Sequence, residues 1–246
     1  MSDVDPRLRE HRDVWERKPG LRAIYVDYHR RLLSAMPTAE PILEIGGGSG
    51  NFSETAPGVV SVDLVPSPWV DVSCDAHALP FGDAAFGGIA MLDVLHHLAR
   101  PATFFEEAAR VLRAGGRLAM VEPGITPLSW PFYHFLHQEL VDMSVDPLAE
   151  QPPEVAADPF LSNQGIPTLL FGRQKHRVRF EAHFPEFKII DRRAFSLLAY
   201  PMSGGFKRWS LLPGWMAPPF LAVEDVLSPL LGPILGFRIS VTLERL

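Results

Sequence analysis

A single cysteine, Cys74, in 246 residues excludes an intramolecular disulfide, a cysteine-rich zinc site and a secreted disulfide scaffold. A reducing, cytoplasmic setting is expected. Positive charge is also short: 23 Lys and Arg face 29 Asp and Glu, a formal net charge of -6, so nucleic-acid binding that rests on phosphate contacts is not expected. The one basic run, Arg173 to Arg179, reads as a solvated strand or loop face. Clean apolar runs of membrane-spanning length are missing. The longest apolar stretch, 211–237, holds Glu224 and Asp225 near its centre and prolines at 213, 218, 219, 229 and 233, which suits a packed or interfacial segment better than a transmembrane helix. Met1 to Arg12 is charged and has no apolar core of the secretory kind.

What is present is an ordinary folded composition, 47% hydrophobic and 21% charged, at a length that one α/β domain fills. Ile24, Tyr25, Tyr28, Leu32 and Leu33 recur at helical spacing, predicting an N-terminal helical cap over 1–40. From residue 41 short β-rich runs alternate with crossovers: Pro41–Ile45, Val59–Asp63, Val70–Asp75, Gly88–Asp93 and Arg117–Glu122. A helix over Pro101–Leu112 lies between the last two, closed by Ala114-Gly115-Gly116. This alternation predicts a doubly wound, mostly parallel sheet with helices on both faces. After Pro123 the rhythm stops. Residues 124–186 read as an insertion covering substrate, and 187–246 as C-terminal strands, at Phe187–Ile190 and Gly236–Glu244, around the apolar segment. The whole of 1–246 is expected to be one domain, with 41–123 as its cofactor-binding core.

Ligands of open α/β sheets bind beyond the carboxyl ends of the strands, which points to the loop after the first strand. That loop is Glu44-Ile45-Gly46-Gly47-Gly48-Ser49-Gly50. Its glycines let the backbone turn tightly and approach a ligand, and a helix start behind them would offer free N–H groups. A dinucleotide fingerprint places a third glycine where this chain has Asn51, so that reading fails.

An acid, a spacer and G-x-G-x-G resembles the first motif of the class I S-adenosylmethionine-dependent methyltransferases. Four further elements follow in that family's order. Asp63 matches the acid ending strand two, which in the family accepts the ribose hydroxyls, as suits an acceptor-only carboxylate. Asp75-Ala76 resembles the element that receives the adenine amino group. Met91-Leu92-Asp93-Val94-Leu95-His96-His97-Leu98 resembles the motif after strand four, and Leu112-Arg113-Ala114-Gly115-Gly116-Arg117-Leu118 the turn before strand five. The resemblance covers roughly 41–123 and is nearest the small-molecule branch labelled type 11. It implies S-adenosyl-L-methionine as cofactor, held by Glu44, Gly46, Gly48, Gly50, Asp63, Asp75, Ala76 and Asp93. One departure is the short link Leu64–Trp69, too short for the usual second helix; Trp69 is expected to pack beside the adenine instead.

Methyl transfer from a sulfonium needs alignment first, and a base only if the acceptor carries a proton. His134, His137 and His97 are the candidate catalytic residues, within a wider supply of His96, Glu139 and Asp142. His134 and His137 at i and i+3 would share a helix face. They find no identifiable third ligand, so no metal site is predicted. The expectation is O-methylation of a small-molecule, sugar or lipid-linked acceptor. A catalytically silent cofactor-binding subunit or sensor is the competing reading. With Lys207 and Arg208 beside Trp209, the stretch 207–237 offers peripheral membrane contact as an alternative to core packing.

Overall fold

The computed structural model describes residues 4–37, 41–137, 139–149 and 158–246. Two helices open the chain, α1 (Pro6–Arg17) and α2 (Pro19–Ala35). Both start on a proline, whose fixed φ and missing N–H suit a first helical position. Asp5 caps α1 by accepting from Arg7 N at 2.8 Å. Then come β1 (Ile42–Ile45), β2 (Val60–Asp63), β3 (Val72–Ser73), β4 (Phe86–Leu92), a 3-10 turn at Leu95–His97, α3 (Pro101–Val111) and β5 (Leu112–Pro123). The second half holds α4 (Ser129–Phe135), α5 (Ile166–Phe171), α6 (Gln174–His183), β6 (Phe187–Phe195), α7 (Ala199–Ser203), a 3-10 turn at Gly214–Met216, α8 (Ala217–Leu235) and β7 (Arg238–Arg245). Residues 150–157, inside the expected insertion, lie outside the described residues, as do 38–40 at the end of the expected cap.

The seven strands form one sheet in the order β3-β2-β1-β4-β5-β7-β6. β1 to β5 pair in parallel, and β7 inserts antiparallel between β5 and β6. Alternation along the central strands divides the core in two, because successive strand side chains face opposite sides. Ile89, Met91, Leu118 and Met120 join Phe104, Phe105, Phe171, Phe180 and Phe184 on one face. Ala90, Ala119 and Val121 meet Trp15, Ile24, Tyr25 and Tyr28 on the other. The expected doubly wound sheet with helices on both faces is therefore present.

Four local expectations need correction. No helix follows the glycine loop: the backbone makes successive turns, with Thr55 N and Ala56 N both donating to Phe52 O at 2.9 and 3.0 Å. Phe52 and Ala56 pack instead under the α1–α2 layer, which supplies the cover that a crossover helix would give. Residues 114–116 do not close α3. β5 begins at Leu112, and the register passes from Phe86↔Leu112 to Gly88↔Arg117, so 113–116 bulge out of the ladder. The basic run 173–179 is neither strand nor loop; it lies almost wholly within α6, which Phe180, packed on Phe105 at 4.8 Å, seats on the core. Finally, α4 stops at Phe135, so His134 and His137 do not share a helix face.

Candidate active site

The carboxyl ends of β1, β2, β4 and β5 open into a cleft of about 1170 Å³. At one end lies the glycine loop. Gly46 N and Gly47 N donate to Val62 O at 2.8 and 3.0 Å, tying the loop to β2. Gly48 N donates to Asp63 Oδ2 and Val65 N to Asp63 Oδ1, both at 2.8 Å. Each oxygen spends one lone pair on backbone and keeps acceptor capacity for the cleft. Gly48 has φ +49, and a Cβ there would meet nothing closer than 3.8 Å. Backbone conformation and the open ligand side, not crowding, require glycine at this position.

Glu44 lies buried beneath the loop, accepting from Ser61 Oγ at 2.6 Å. Burial pushes its pKa up to about 7. Asp75 is more exposed. Against the partial burial that would raise it, the His77 amide and ring nitrogen, at 2.9 and 2.6 Å, hold Asp75 below its usual range. Ala76 lines the same stretch of cleft. α1 roofs this end: Leu8 and His11 line it, and Arg12 Nη1 donates to Ser49 O at 3.3 Å.

The other end was barely legible in sequence. Glu122, the last acid of β5, accepts from Val94 N and Leu95 N through Oε1, both at 2.8 Å, and pairs through Oε2 with His96 Nδ1 at 2.7 Å. His96 Nε2 stands 3.5 Å from Glu139 Oε2. Burial would lower His96, but the two carboxylates prevail and lift its pKa to about 9, making it an imidazolium clamped between them. Glu139 in turn accepts from Ser162 Oγ at 2.7 Å and from Gln164 Nε2. His97 follows at the cleft surface. Burial, then the adjacent His96 charge, brings its pKa down to about 4. Its Nδ1 lies 3.3 Å from Leu161 O; a carbonyl only accepts, so this nitrogen carries the proton and Nε2 holds a free lone pair.

Of the expected cofactor residues, Glu44, Gly46, Gly48, Asp63, Asp75, Ala76 and Asp93 line the cleft. Asp93 has another task as well. It accepts from Tyr25 Oη at 2.9 Å and receives both terminal nitrogens of Arg238, a side chain 1% exposed. Gly50 is not among the lining residues. Its side faces Trp69, whose Cβ would stand 2.6 Å from an added Cβ, so Gly50 packs the back of the loop and Trp69 covers it there rather than in the cleft. Among the candidate catalytic histidines, His97 and His137 line the cleft and His134 does not. His134 is exposed, its ring stacked on Trp130 at 4.6 Å, one helical turn away, and its catalytic assignment is withdrawn. Burial lowers the pKa of His137 and keeps it neutral.

The cleft also offers two unmet acceptors. Asn51 Oδ1, by the glycine loop, and Gln164 Oε1, beside Glu139, are buried without a hydrogen-bond partner among the described residues. Buried polar atoms are rarely left unmet, so each suits a donor on a bound molecule. Together with Asp63 they fit a ligand bearing hydroxyl and amino groups.

Comparison with known proteins bears on this arrangement. Residues 43–120 match the model of the type 11 methyltransferase domain family. An uncharacterized 37.1 kDa protein of transposon TN4556 from Streptomyces fradiae is 47% identical over 57 residues, a match that takes in 23% of this chain and only 16% of that relative. Among solved structures, a SAM-dependent methyltransferase from Archaeoglobus fulgidus superposes with TM-score 0.52 at 14% identity, over 92% of this chain and 94% of that one. One from Mesorhizobium loti matches with TM-score 0.49 at 14% identity, over 88% and 96% of the two chains. Residues 43–120 thus match the type 11 methyltransferase domain, a family that binds S-adenosylmethionine, and the chain around them has the fold of the Archaeoglobus fulgidus SAM-dependent methyltransferase.

Proposed function

We propose that this protein is an S-adenosylmethionine-dependent O-methyltransferase of a hydroxyl-bearing acceptor, small, sugar-containing or lipid-linked, working in the cytoplasm. The observation that carries the reading is one cleft with the glycine loop and Asp63 at one end and a neutral His97, beside Glu139 and the unmet Gln164 Oε1, at the other. The cofactor supplies an electrophilic methyl group, so the protein's part is to align, desolvate and move a proton.

Asp63 would hold the ribose hydroxyls with its remaining lone pairs, and the 44–50 loop would admit the cofactor closely because Gly48 presents no side chain. Gln164 Oε1 accepts from a second donor group on the acceptor, since the reacting hydroxyl has a single proton. His97 Nε2 takes the hydroxyl proton; the bound cofactor would supply the methyl group, its S–CH3 bond breaking to leave a neutral thioether as the C–O bond forms. A weak base suffices there, because an oxygen gaining a methyl becomes strongly acidic. Glu139 stabilises the imidazolium that results, and His96 holds Glu139 in place as a positioning residue. His137 lines the wall near Phe132 and Tyr133.

Calorimetric titration with S-adenosylmethionine tests the cofactor half: wild type binds, and Asp63→Asn binds at least about ten-fold more weakly, as expected for a lost charge-assisted hydrogen bond. No binding by wild type, or no loss in the variant, refutes the reading. With an acceptor in hand, His97→Ala lowers turnover by about 10² to 10⁴-fold while cofactor affinity holds, whereas His134→Ala leaves both alone. Tight cofactor binding without turnover on any hydroxylated acceptor would favour the silent subunit or sensor.

A further inference from the structure

Helix α8 is inside out for a water-facing element. Its buried stripe carries Ala217, Glu224, Ser228 and Gly232, while Val223, Val226, Leu227, Leu230 and Ile234 face outward. Val226 and Leu230 are 79% and 76% exposed. A surface helix in water shows the reverse arrangement. One inward carboxylate oxygen is tied down, while Glu224 Oε2 and Ser228 Oγ are buried without a hydrogen-bond partner among the described residues. Glu224 Oε1 accepts from Ala199 N at 2.8 Å and from Leu198 N, and Gly232 lets the helix press so close to β6 that an added Cβ would fall 1.9 Å from Ala194 O. The outward acid, Asp225, is paired with Arg31. The segment Gly214–Leu235 is long and apolar enough to cross a membrane, with mean hydropathy 1.2. Yet Glu224 and the β6 contact hold it against the fold, so it lies on the protein rather than through a bilayer.

This face continues to the cleft mouth. Leu128 N donates to Ile234 O at 3.0 Å, joining the start of α4 to the end of α8, and Lys207 Nζ donates to Leu136 O at 3.3 Å, joining the end of α4 to the 204–209 loop. Leu136, Lys207, Arg208 and Trp209 line the cleft. Three of the chain's five tryptophans, Trp130, Trp209 and Trp215, are exposed along the same path, Trp215 by 79%. Arg208, 92% exposed and 4.0 Å from the exposed Glu10 carboxylate, stands beside Lys207. Tryptophan rings favour the headgroup level of a bilayer and cations its phosphates. In a chain of net charge -6, two cations among exposed tryptophans at the mouth fit lipid phosphate. A protein docked on this face would cover the mouth; a bilayer would feed it.

We propose that the outward face of α8 and the 207–216 segment seat on a lipid bilayer, and that the cleft takes a lipid-linked hydroxyl acceptor from it. The acceptor class rests on the methyl-transfer reading; the docking does not.

Flotation without detergent tests it, using vesicles of phosphatidylcholine with and without phosphatidylglycerol. Wild type floats with both, and more with the anionic lipid. Paired Val226→Asp and Leu230→Asp substitutions cut the bound fraction about ten-fold or more, since each removes a buried apolar side chain from the lipid contact. Trp215→Ser, outside α8, cuts it less. Paired Lys207→Gln and Arg208→Gln abolish only the preference for the anionic lipid. Circular dichroism and S-adenosylmethionine titration of the α8 variant, both unchanged from wild type, separate loss of docking from misfolding and from failure of the methyl-transfer reading. Wild type that stays with the unbound fraction overturns the proposal. So does a wild-type dimer that does not float and that the α8 substitutions split to monomers, because a second copy would then be the occupant.

Discussion

Substitution at the Asp93–Arg238 pair separates two roles for Asp93 that sequence alone confuses. Arg238 is fully buried, its terminal nitrogens on the Asp93 carboxylate, its guanidinium carbon 3.9 Å from the Tyr200 ring centroid and 5.7 Å from that of Tyr28. Removing one partner of a buried pair costs about 3–5 kcal/mol. Asp93→Asn leaves a buried cation, relieved only by the two rings, at up to about 2 kcal/mol. Arg238→Met leaves a carboxylate whose side chain is 26% exposed and which still holds Tyr25 Oη. Both single variants are therefore expected near the lower end, about 3 kcal/mol, or about 6–12 °C in Tm for a chain of this size. The double variant removes both charges and should recover about 2–3 kcal/mol relative to the sum of the singles. Urea unfolding of the four proteins gives the coupling. Single losses below about 1 kcal/mol, or strict additivity, refute the buried-pair account. Asp93→Asn that weakens S-adenosylmethionine binding with no loss of stability would restore Asp93 to a purely cofactor-binding role.

Two other perturbations follow from the site. His96, lifted to about 9 from an ordinary 6.5, and Glu44, lifted to about 7 from 4.5, both bind protons more tightly when folded; stability from them is complete below the unfolded value and is lost as pH rises through the folded one. Glu44 contributes its loss between about pH 4.5 and 7 and His96 between about pH 6.5 and 9, so the urea midpoint should fall across the upper window through His96, and His96→Gln should flatten that fall; a midpoint that rises across the upper window, or a variant with the same slope there, contradicts the two-carboxylate clamp. Gly50→Ala, at φ +74 and with a Cβ 2.6 Å from that of Trp69, should cost about 2–4 kcal/mol from backbone strain plus overpacking. Gly58→Ala, at φ +91 with nothing within 4 Å, should cost only the strain, about 1–2 kcal/mol, and equal losses in thermal unfolding would remove the Trp69 contact from the explanation.

The parts of this protein that sequence exposes are those whose cause is local. Glu44, one residue before the end of β1, and Asp63, the last of β2, stand at the cleft because each strand carries its side chain there, and both runs are short, apolar and followed at once by turn residues. The same logic reached Asp75 and Ala76. It failed where a residue's partner lies far along the chain. Asp93 sits in the family motif, but Arg238 claims its carboxylate from β7. His134 and His137 sit at a helical interval, but α4 ends between them and Trp130 takes the His134 ring. Glu122 was the acid that closed the fifth strand and went unused; the rule that found Glu44 and Asp63 applies to it unchanged. The basic run concealed α6 because Arg173 to Arg179 dominates the pattern and only Phe180 of that helix is fully buried.

The shortened crossovers explain why the N-terminal helices are part of the site and not an appendage. Without a helix after the glycine loop, Phe52 and Ala56 depend on Trp15, Tyr25 and Tyr28 for burial. α1 and α2 are held in that position by Lys18, between them, whose ammonium shares its three N–H groups among the carbonyls of Ser203, Gly205, Lys207 and Trp209 at 2.6 to 2.9 Å. One cation thereby fixes the 203–209 loop, which carries the mouth cations and Trp209, to the layer that roofs the glycine loop. His11 stacked on Phe206 at 4.5 Å closes the same joint with apolar surface. The glycine-loop end of the cleft and its 203–209 mouth are therefore joined through one packed layer, and the alignment that the proposed methyl transfer requires rests on packing that residues 43–120 alone do not contain.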